Sequence, residues 1–253
     1  MTDLAFQLYC ARNFPPLSDV LKKVAQAGYT QVEGYGGIYA TLDEAALKAL
    51  RADLDANGLT MPTGHFGLDL LESQPEQALL IAKTLGMEGI YCPHLAAELR
   101  PADAQGWFAF GQRLGDAGKR YQDAGYTFGW HNHDFEFKPL ADGSTPLEQL
   151  LAGGPALAWE IDVAWVIRGG ADPFAFIDSY GKRITAVHVK DIAPAGENAD
   201  EDGWTDLGHG TVAWKDLISA LRHTRAKQHV LEHDNPKDLD RLLSRSIASF
   251  QTY

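Results

Sequence analysis

Short apolar runs alternate along the chain with stretches whose apolar positions recur at the three-to-four-residue spacing of one helix face. Residues 4–9 read as a strand and residues 17–27 as the helix after it, with Leu17, Val20, Leu21 and Val24 on one side. Gly28 stops that helix, and residues 29–33 form the next strand. The scheme repeats through helix 45–56 ending at Asn57-Gly58, strand 59–65, helix 75–85 ending at Gly86, strand 89–93, helix 104–124 and strand 126–131. It continues through helix 147–152, strand 158–162, helix 173–180, strand 184–188, helix 215–223, strand 229–232 and helix 238–250. Eight strand–helix units in 253 residues predict parallel strands with right-handed crossovers, closed into a barrel rather than left as an open sheet. The expected fold class is α/β, a single (β/α)8 barrel forming one domain over residues 1–253. An open doubly wound sheet usually has a glycine-rich turn after its first strand, and residues 10–16 carry no GxGxxG. The longest gap, 192–214, is rich in Gly, Asp, Glu and Pro and reads as a long active-site loop after the seventh strand.

Charge and cysteine content narrow the partners. Lys plus Arg number 22 and Asp plus Glu 34, a net charge of −12 that repels phosphate backbones, so no nucleic acid is expected as a partner. Cys10 and Cys92 alone make neither a disulfide framework nor a CxxC metal motif. No run of residues is long and apolar enough for a membrane span, and no basic segment followed by an apolar one marks a signal peptide. A cytoplasmic location without membrane contact is expected.

In such a barrel the chemistry sits at the C-terminal ends of the strands. The residues there are Tyr9, Glu33, His65, His94, His131, Asp162, His188 and Glu232, all but Tyr9 able to ligate a metal or move a proton near neutral pH. Seven of the nine histidines (65, 94, 131, 133, 188, 209 and 233) fall at strand ends or in the loops after them. One strand-end histidine is more often a structural hydrogen-bonding residue than a ligand; the collection is what points to a divalent-metal or acid–base site. Side chains two apart on a strand share a face, which pairs His131 with His133, Glu160 with Asp162, and His188 with Lys190. Asp162 at the rim is the better ligand, whereas Glu160, deeper down, needs a buried partner. Lys190 either holds an oxyanion or phosphate, or pairs with Asp191 or another rim carboxylate.

Across nearly its whole length the chain resembles the xylose isomerase-like TIM barrels, in particular the sugar phosphate isomerase/epimerase group. The resemblance is carried by Phe6-Gln7-Leu8-Tyr9, Ala27-Gly28-Tyr29 with Val32-Glu33, and His131-Asn132-His133-Asp134-Phe135-Glu136-Phe137. It continues in Asp162, His188-Val189-Lys190-Asp191, Leu207-Gly208-His209-Gly210 with Trp214, and Glu232. It implies one divalent ion (manganese, zinc, magnesium or cobalt), with Asp162, His188 and Glu232 as ligands. Many members read Glu-Asn-His where this chain has His131-Asn132-His133, so the remaining ligand is His131 or Glu136, with His131 favoured. His209 likewise replaces a more frequent Glu.

The chemistry implied is proton abstraction beside a carbonyl, the ion polarising the carbonyl oxygen. Glu136, Glu232 and His133 are the candidate catalytic groups, and Glu33, His65, His94, Lys190 and His209 the candidate substrate contacts. Trp130, Trp165 and Phe66 either wall the sugar site or pack in the core. The expected function is a metal-dependent isomerase or epimerase of a keto-sugar or related polyol derivative. A dehydratase or lyase of keto-sugars or oxidised glycosides, and a non-catalytic sugar-binding subunit, are the alternatives. Endonuclease-like relatives share the barrel, but the charge and the lack of a basic stripe disfavour that reading. Assembly into a homo-oligomer is left open.

Overall fold

The computed structural model describes residues 3–253; the first two positions of the expected domain, 1–253, lie outside the described residues. Eight parallel strands close into a barrel: β1 (Leu4–Gln7), β2 (Gln31–Tyr35), β3 (Thr60–His65), β4 (Gly89–Cys92), β5 (Thr127–His131), β6 (Ala158–Asp162), β7 (Ile184–Val189) and β8 (Gln228–Leu231). β1 closes the ring by pairing with both β2 and β8, Phe6 lying opposite Val32 and Leu231. Helices follow the strands, as the alternating pattern requires. The strand 158–162 and helix 75–85 occur with the expected bounds. Pro75 opens that helix at its first position, and Gly86 closes it at φ 78°, a left-handed conformation that costs glycine little.

The main apolar core lies between barrel and helices. Phe6, Val32, Ile90, Trp130, Trp159 and Val187 point outward from the strands and are buried under the helical layer. Inside the barrel a small apolar set, Tyr91, Ala158 and Ala186, lies toward the N-terminal side. Tyr91 Oη reaches Thr185 Oγ1 on β7 across the interior at 2.8 Å. The inward positions two residues beyond Ala158 and Ala186 are Glu160 and His188, so the interior turns polar toward the strand C-termini.

Several local features depart from the sequence expectation. β1 ends at Gln7, not Tyr9, because Gln7 Oε1 accepts from Tyr9 N at 3.0 Å and turns the chain into a single 3-10 turn, Leu8–Ala11. Short helices Gly36–Tyr39, Leu68–Ser73 and Val163–Arg168 follow β2, β3 and β6. In the long loop after β7, Asp191–Ile192 pairs antiparallel with Trp204–Thr205. Asp191 gathers that loop by accepting from the backbone N–H of Ile192, Gly208, Gly210 and Val212. A Cβ at Gly210 would sit 2.2 Å from Asp191 Oδ1, so the wrap needs glycine there. No helix among the described residues is long and apolar enough to cross a membrane.

At the opposite end of the barrel His229 lies against Phe250, ring centroids 5.6 Å apart, with its Nδ1 buried and unpartnered. Burial pushes its pKa down to about 4. The folded protein therefore holds the ring neutral, and this contribution to stability is present above the unfolded value and lost as pH falls through about 4. Between pH 7 and 4 the wild type should lose roughly 3 kcal/mol more unfolding free energy than His229→Leu, as read by urea titration. Equal losses would mean that the ring does not titrate in this way.

Candidate active site

The strand registers put the polar side chains in two layers. Gln7 is level with Glu33, His131 with Glu160, and Asp162 with His188. In the lower layer His65 Nε2 lies 2.6 Å from Glu160 Oε2 and 3.2 Å from Glu33 Oε1. His131 Nδ1 lies 3.2 Å from the same Glu160 oxygen. Glu160 thus has the buried partners that its depth demands. His188 spans the layers: Nε2 is 2.7 Å from Glu33 Oε1 below, and Nδ1 is 2.9 Å from Glu232 Oε2. One ligand-type atom each from His131, Asp162, His188 and Glu232 lies within 4.8 Å of the others, and all four residues are buried. His65, His131, Glu160 and His188 form a second such group below, sharing two histidines with the first.

The upper group is held by Asn132 and Asp234, to which sequence reading assigned no role, and by Lys190, whose pairing with rim carboxylates was one of the two roles open to it. Asn132 Oδ1 accepts from Asp162 N at 3.0 Å and from Trp159 Nε1 at 2.9 Å, and Asn132 Nδ2 donates to Asp162 O. Asp162 Oδ1 caps the following helix by accepting from Trp165 N at 2.9 Å, leaving Oδ2 buried without a hydrogen-bond partner. The Lys190 ammonium is fully buried, 4.9 Å from the Trp165 ring centroid and 4.5 Å from that of Trp204. Its Nζ lies 2.8 Å from Asp234 Oδ2, 3.2 Å from Glu232 Oε2 and 3.7 Å from Asp162 Oδ2. Asp234 follows Glu232 by two residues, a same-face spacing that was the only signal for it.

Burial and charge set the protonation states. Burial pushes the Asp162 carboxyl up to about 7, against the pull of Lys190. Burial also acts to raise Glu232, but Lys190 and His188 hold it well below the usual carboxylate range. Burial opposes charge on His188, yet Glu160, Glu33 and Glu232 bring its pKa well above the ordinary imidazole value. His131 and His133 are both pushed down, chiefly by burial, His131 to about 3.

The sequence matches the family described as xylose isomerase-like TIM barrel over residues 21–253. This chain belongs to that family. Rhizopine catabolism protein MocC of Rhizobium meliloti is 27% identical over 199 residues, and the match spans 70% of this chain and 58% of that protein's length. A sugar phosphate isomerase/epimerase from Parabacteroides distasonis superposes with a TM-score of 0.79 at 20% identity, over 99% of this chain and 93% of that one. The probable 3-DHS dehydratase AsbF of Bacillus anthracis, involved in petrobactin synthesis, gives 0.74 at 14% identity over 98% of each chain. At these identities the two structures bear on the fold alone.

In this xylose isomerase-like barrel a cavity of about 490 Å³ opens at the C-terminal ends of the strands. His65, His94, His131, His133, Trp165 and Glu232 line it, with Tyr9, Tyr35 and Asp234. A larger hollow of about 670 Å³ lies at the other end, between Leu4, His229 and the last helix, away from the His/carboxylate groups.

Several expected site residues lie elsewhere. Glu136, expected as a catalytic base or ligand, is fully buried behind the strand wall. Its two oxygens accept from Trp130 Nε1 and His133 N, each at 2.9 Å, because the Phe135–Phe137 turn folds it back onto the outward face of β5. Burial also pushes its carboxyl up to about 8. Glu33, expected as a substrate contact, has no exposed surface and belongs to the lower layer. Lys190 is enclosed by its carboxylates and tryptophans rather than presented to the cavity. His209 is exposed beside the last helix, where Arg245 Nε donates to its Nε2 at 3.2 Å. Phe66 and Trp130 pack in the core, whereas Trp165 reaches the cavity wall.

Glu136 therefore has a packing consequence. Glu136→Ala strands two buried N–H donors, and the expected loss is about 2–4 kcal/mol, or roughly 5–15 °C in Tm by calorimetry. Turnover per folded molecule should stay within about threefold of wild type; a loss of the size typical of a missing general base, roughly a hundredfold or more, would return Glu136 to the chemistry.

Proposed function

We propose that this protein is a divalent-metal-dependent isomerase or epimerase of a keto-sugar or related polyol derivative, moving a proton at a carbon alpha to a carbonyl. The observation that carries the reading is the convergence of His131, Asp162, His188 and Glu232 beside a cavity of small-molecule size. The donor set fits a divalent ion. Two imidazoles and two carboxylates supply nitrogen and oxygen donors, Asp162 Oδ2 and His131 Nδ1 are buried without a hydrogen-bond partner, and such a set suits zinc, manganese or cobalt ahead of magnesium. Lys190 supplies a positive charge against the carboxylates of Asp162, Glu232 and Asp234. When bound, such an ion polarises a substrate carbonyl and stabilises the negative charge that develops on its oxygen.

The remaining work falls to the chain's own groups. His133 lines the cavity with its Nδ1 buried and unpartnered, and its depressed pKa keeps it neutral, as a proton acceptor must be. His94, pushed down by burial and by Arg100, is a second neutral imidazole, its ring centroid 5.7 Å from that of His133. One can take the proton from carbon, and either can return it, which sets epimerisation against aldose–ketose isomerisation. Glu232 stays ionised through Lys190 and is suited to ligation rather than to donating a proton.

Metal analysis of the purified protein, paired with deuterium uptake from D2O into a panel of ketoses and 3-keto-sugars, tests this. The expected result is about one divalent ion per chain and deuterium at the carbon alpha to the carbonyl. Loss of water or of a leaving group after exchange would move the reaction to the lyases, which start from the same proton abstraction. Metal without exchange on any substrate would favour a binding subunit, and absence of metal would sink the site.

A further inference from the structure

We infer that Glu33, held in place by Gln7, is the positioning residue for His188, fixing its ring so that Nδ1, on the Glu232 side, rather than Nε2 is the nitrogen that gives up its proton to a bound metal ion. The inference rests on the metal-site reading proposed above. A neutral imidazole carries one N–H, and only the other nitrogen can ligate, so whatever accepts that N–H decides which face of the ring is a ligand. Glu33 Oε1 lies 2.7 Å from His188 Nε2, while Nδ1 looks toward Glu232 Oε2 at 2.9 Å. The carboxylate holds the proton on the lower nitrogen.

Glu33 is itself oriented. Gln7 Oε1 accepts from Tyr9 N at 3.0 Å, which forces the amide nitrogen the other way, and Gln7 Nε2 donates to Glu33 Oε1 at 2.7 Å. A relay of hydrogen bonds thus runs from the turn after β1, through β2, to β7. Gln7, Glu33 and His188 have no exposed surface. Glu33 does not reach the cavity, and burying a carboxylate there is costly unless it is bonded to donors. The other nearby imidazole, His65, sits closer to Glu160, at 2.6 Å, than to Glu33, at 3.2 Å. That leaves Glu33 as the nearest acceptor for His188.

The test is divalent-metal affinity, with Zn2+ and Co2+ each measured by competition against a chelator, on wild type, Glu33→Gln, Glu33→Leu and Gln7→Met. Folding is checked by circular dichroism. Glu33→Leu removes the acceptor and should weaken metal binding roughly 10–100-fold, and Glu33→Gln, which keeps an acceptor but loses the charge, should weaken it less. Gln7→Met should weaken it too, and its effect should shrink when Glu33 is already Leu, since both act through one ring. The Co2+ ligand-field spectrum should change in Glu33→Leu, which a purely structural role would leave unmoved. If Glu33→Leu does not fold, Glu33→Gln and Gln7→Met decide the matter. Folded variants with wild-type metal affinity and spectrum overturn the positioning role while leaving the metal site standing. A wild type that binds neither ion overturns both.

Discussion

Asp162→Ala, His188→Ala and Glu232→Ala should each lose bound divalent metal and lower turnover by at least about a thousandfold, the scale of removing a group that stabilises developing charge. The three differ in what else they disturb, which separates ligation from folding. Asp162 is the cleanest position: its carboxyl is already pushed up to about 7 by burial, so removing it relieves a desolvation cost in the metal-free protein. What Asp162→Ala does lose is the cap on Trp165 N, and Asp162→Asn restores that acceptor without the charge. Asp162→Asn should therefore melt no lower than wild type without metal, yet lack the stabilisation that metal gives wild type. His188→Ala should be the least stable, because Glu33, Glu160 and Glu232 all lose a partner. Metal content by elemental analysis and Tm with and without added ion are the measurements. Full metal content in all three folded variants would falsify the ligand assignment.

Lys190→Met should be the most destabilising substitution near the cavity. It removes a fully buried ammonium from between Asp162, Glu232 and Asp234 and strands their charges, which by analogy with broken buried ion pairs costs about 3–5 kcal/mol, or roughly 6–20 °C in Tm. The methionine stem keeps the contact with Trp165 and Trp204, so the loss reads charge rather than packing. Added divalent ion should stabilise Lys190→Met more than wild type, since two of the stranded carboxylates, on Asp162 and Glu232, are proposed ligands. Asp234 gains nothing directly from that ion, so rescue should be partial. An unchanged Tm without metal would show that the lysine is not their counter-ion.

Much of this was legible in the sequence, for definite reasons. Strand and helix periods differ, so the alternation of apolar runs with helical stretches determined a barrel of eight strand–helix units, and polar residues at strand ends determined which end of it gathers the ionisable groups. Helix 75–85 was readable to the residue because Pro75 and Gly86 are backbone punctuation. The helices Gly36–Tyr39, Leu68–Ser73 and Val163–Arg168 were not, being too short to show a period. The sequence placed Glu33, His65, Asp162, His188 and Glu232 all at strand ends, but not at which height. Height follows from the stagger of neighbouring strands: Glu33 is level with Gln7, and Asp162 with His188, which puts Glu33 beneath the rim and Asp162 on it. Side of the wall was hidden as well. Glu136 lies five residues beyond His131, and a one-turn helix swings its carboxylate outward to Trp130, away from the cavity. The sequence thus determined the barrel and the end that carries its polar groups, because side-chain period and backbone punctuation are local. Only the tertiary structure decided which of those groups meet, because strand register and the direction of a turn are set by packing between segments far apart in the chain.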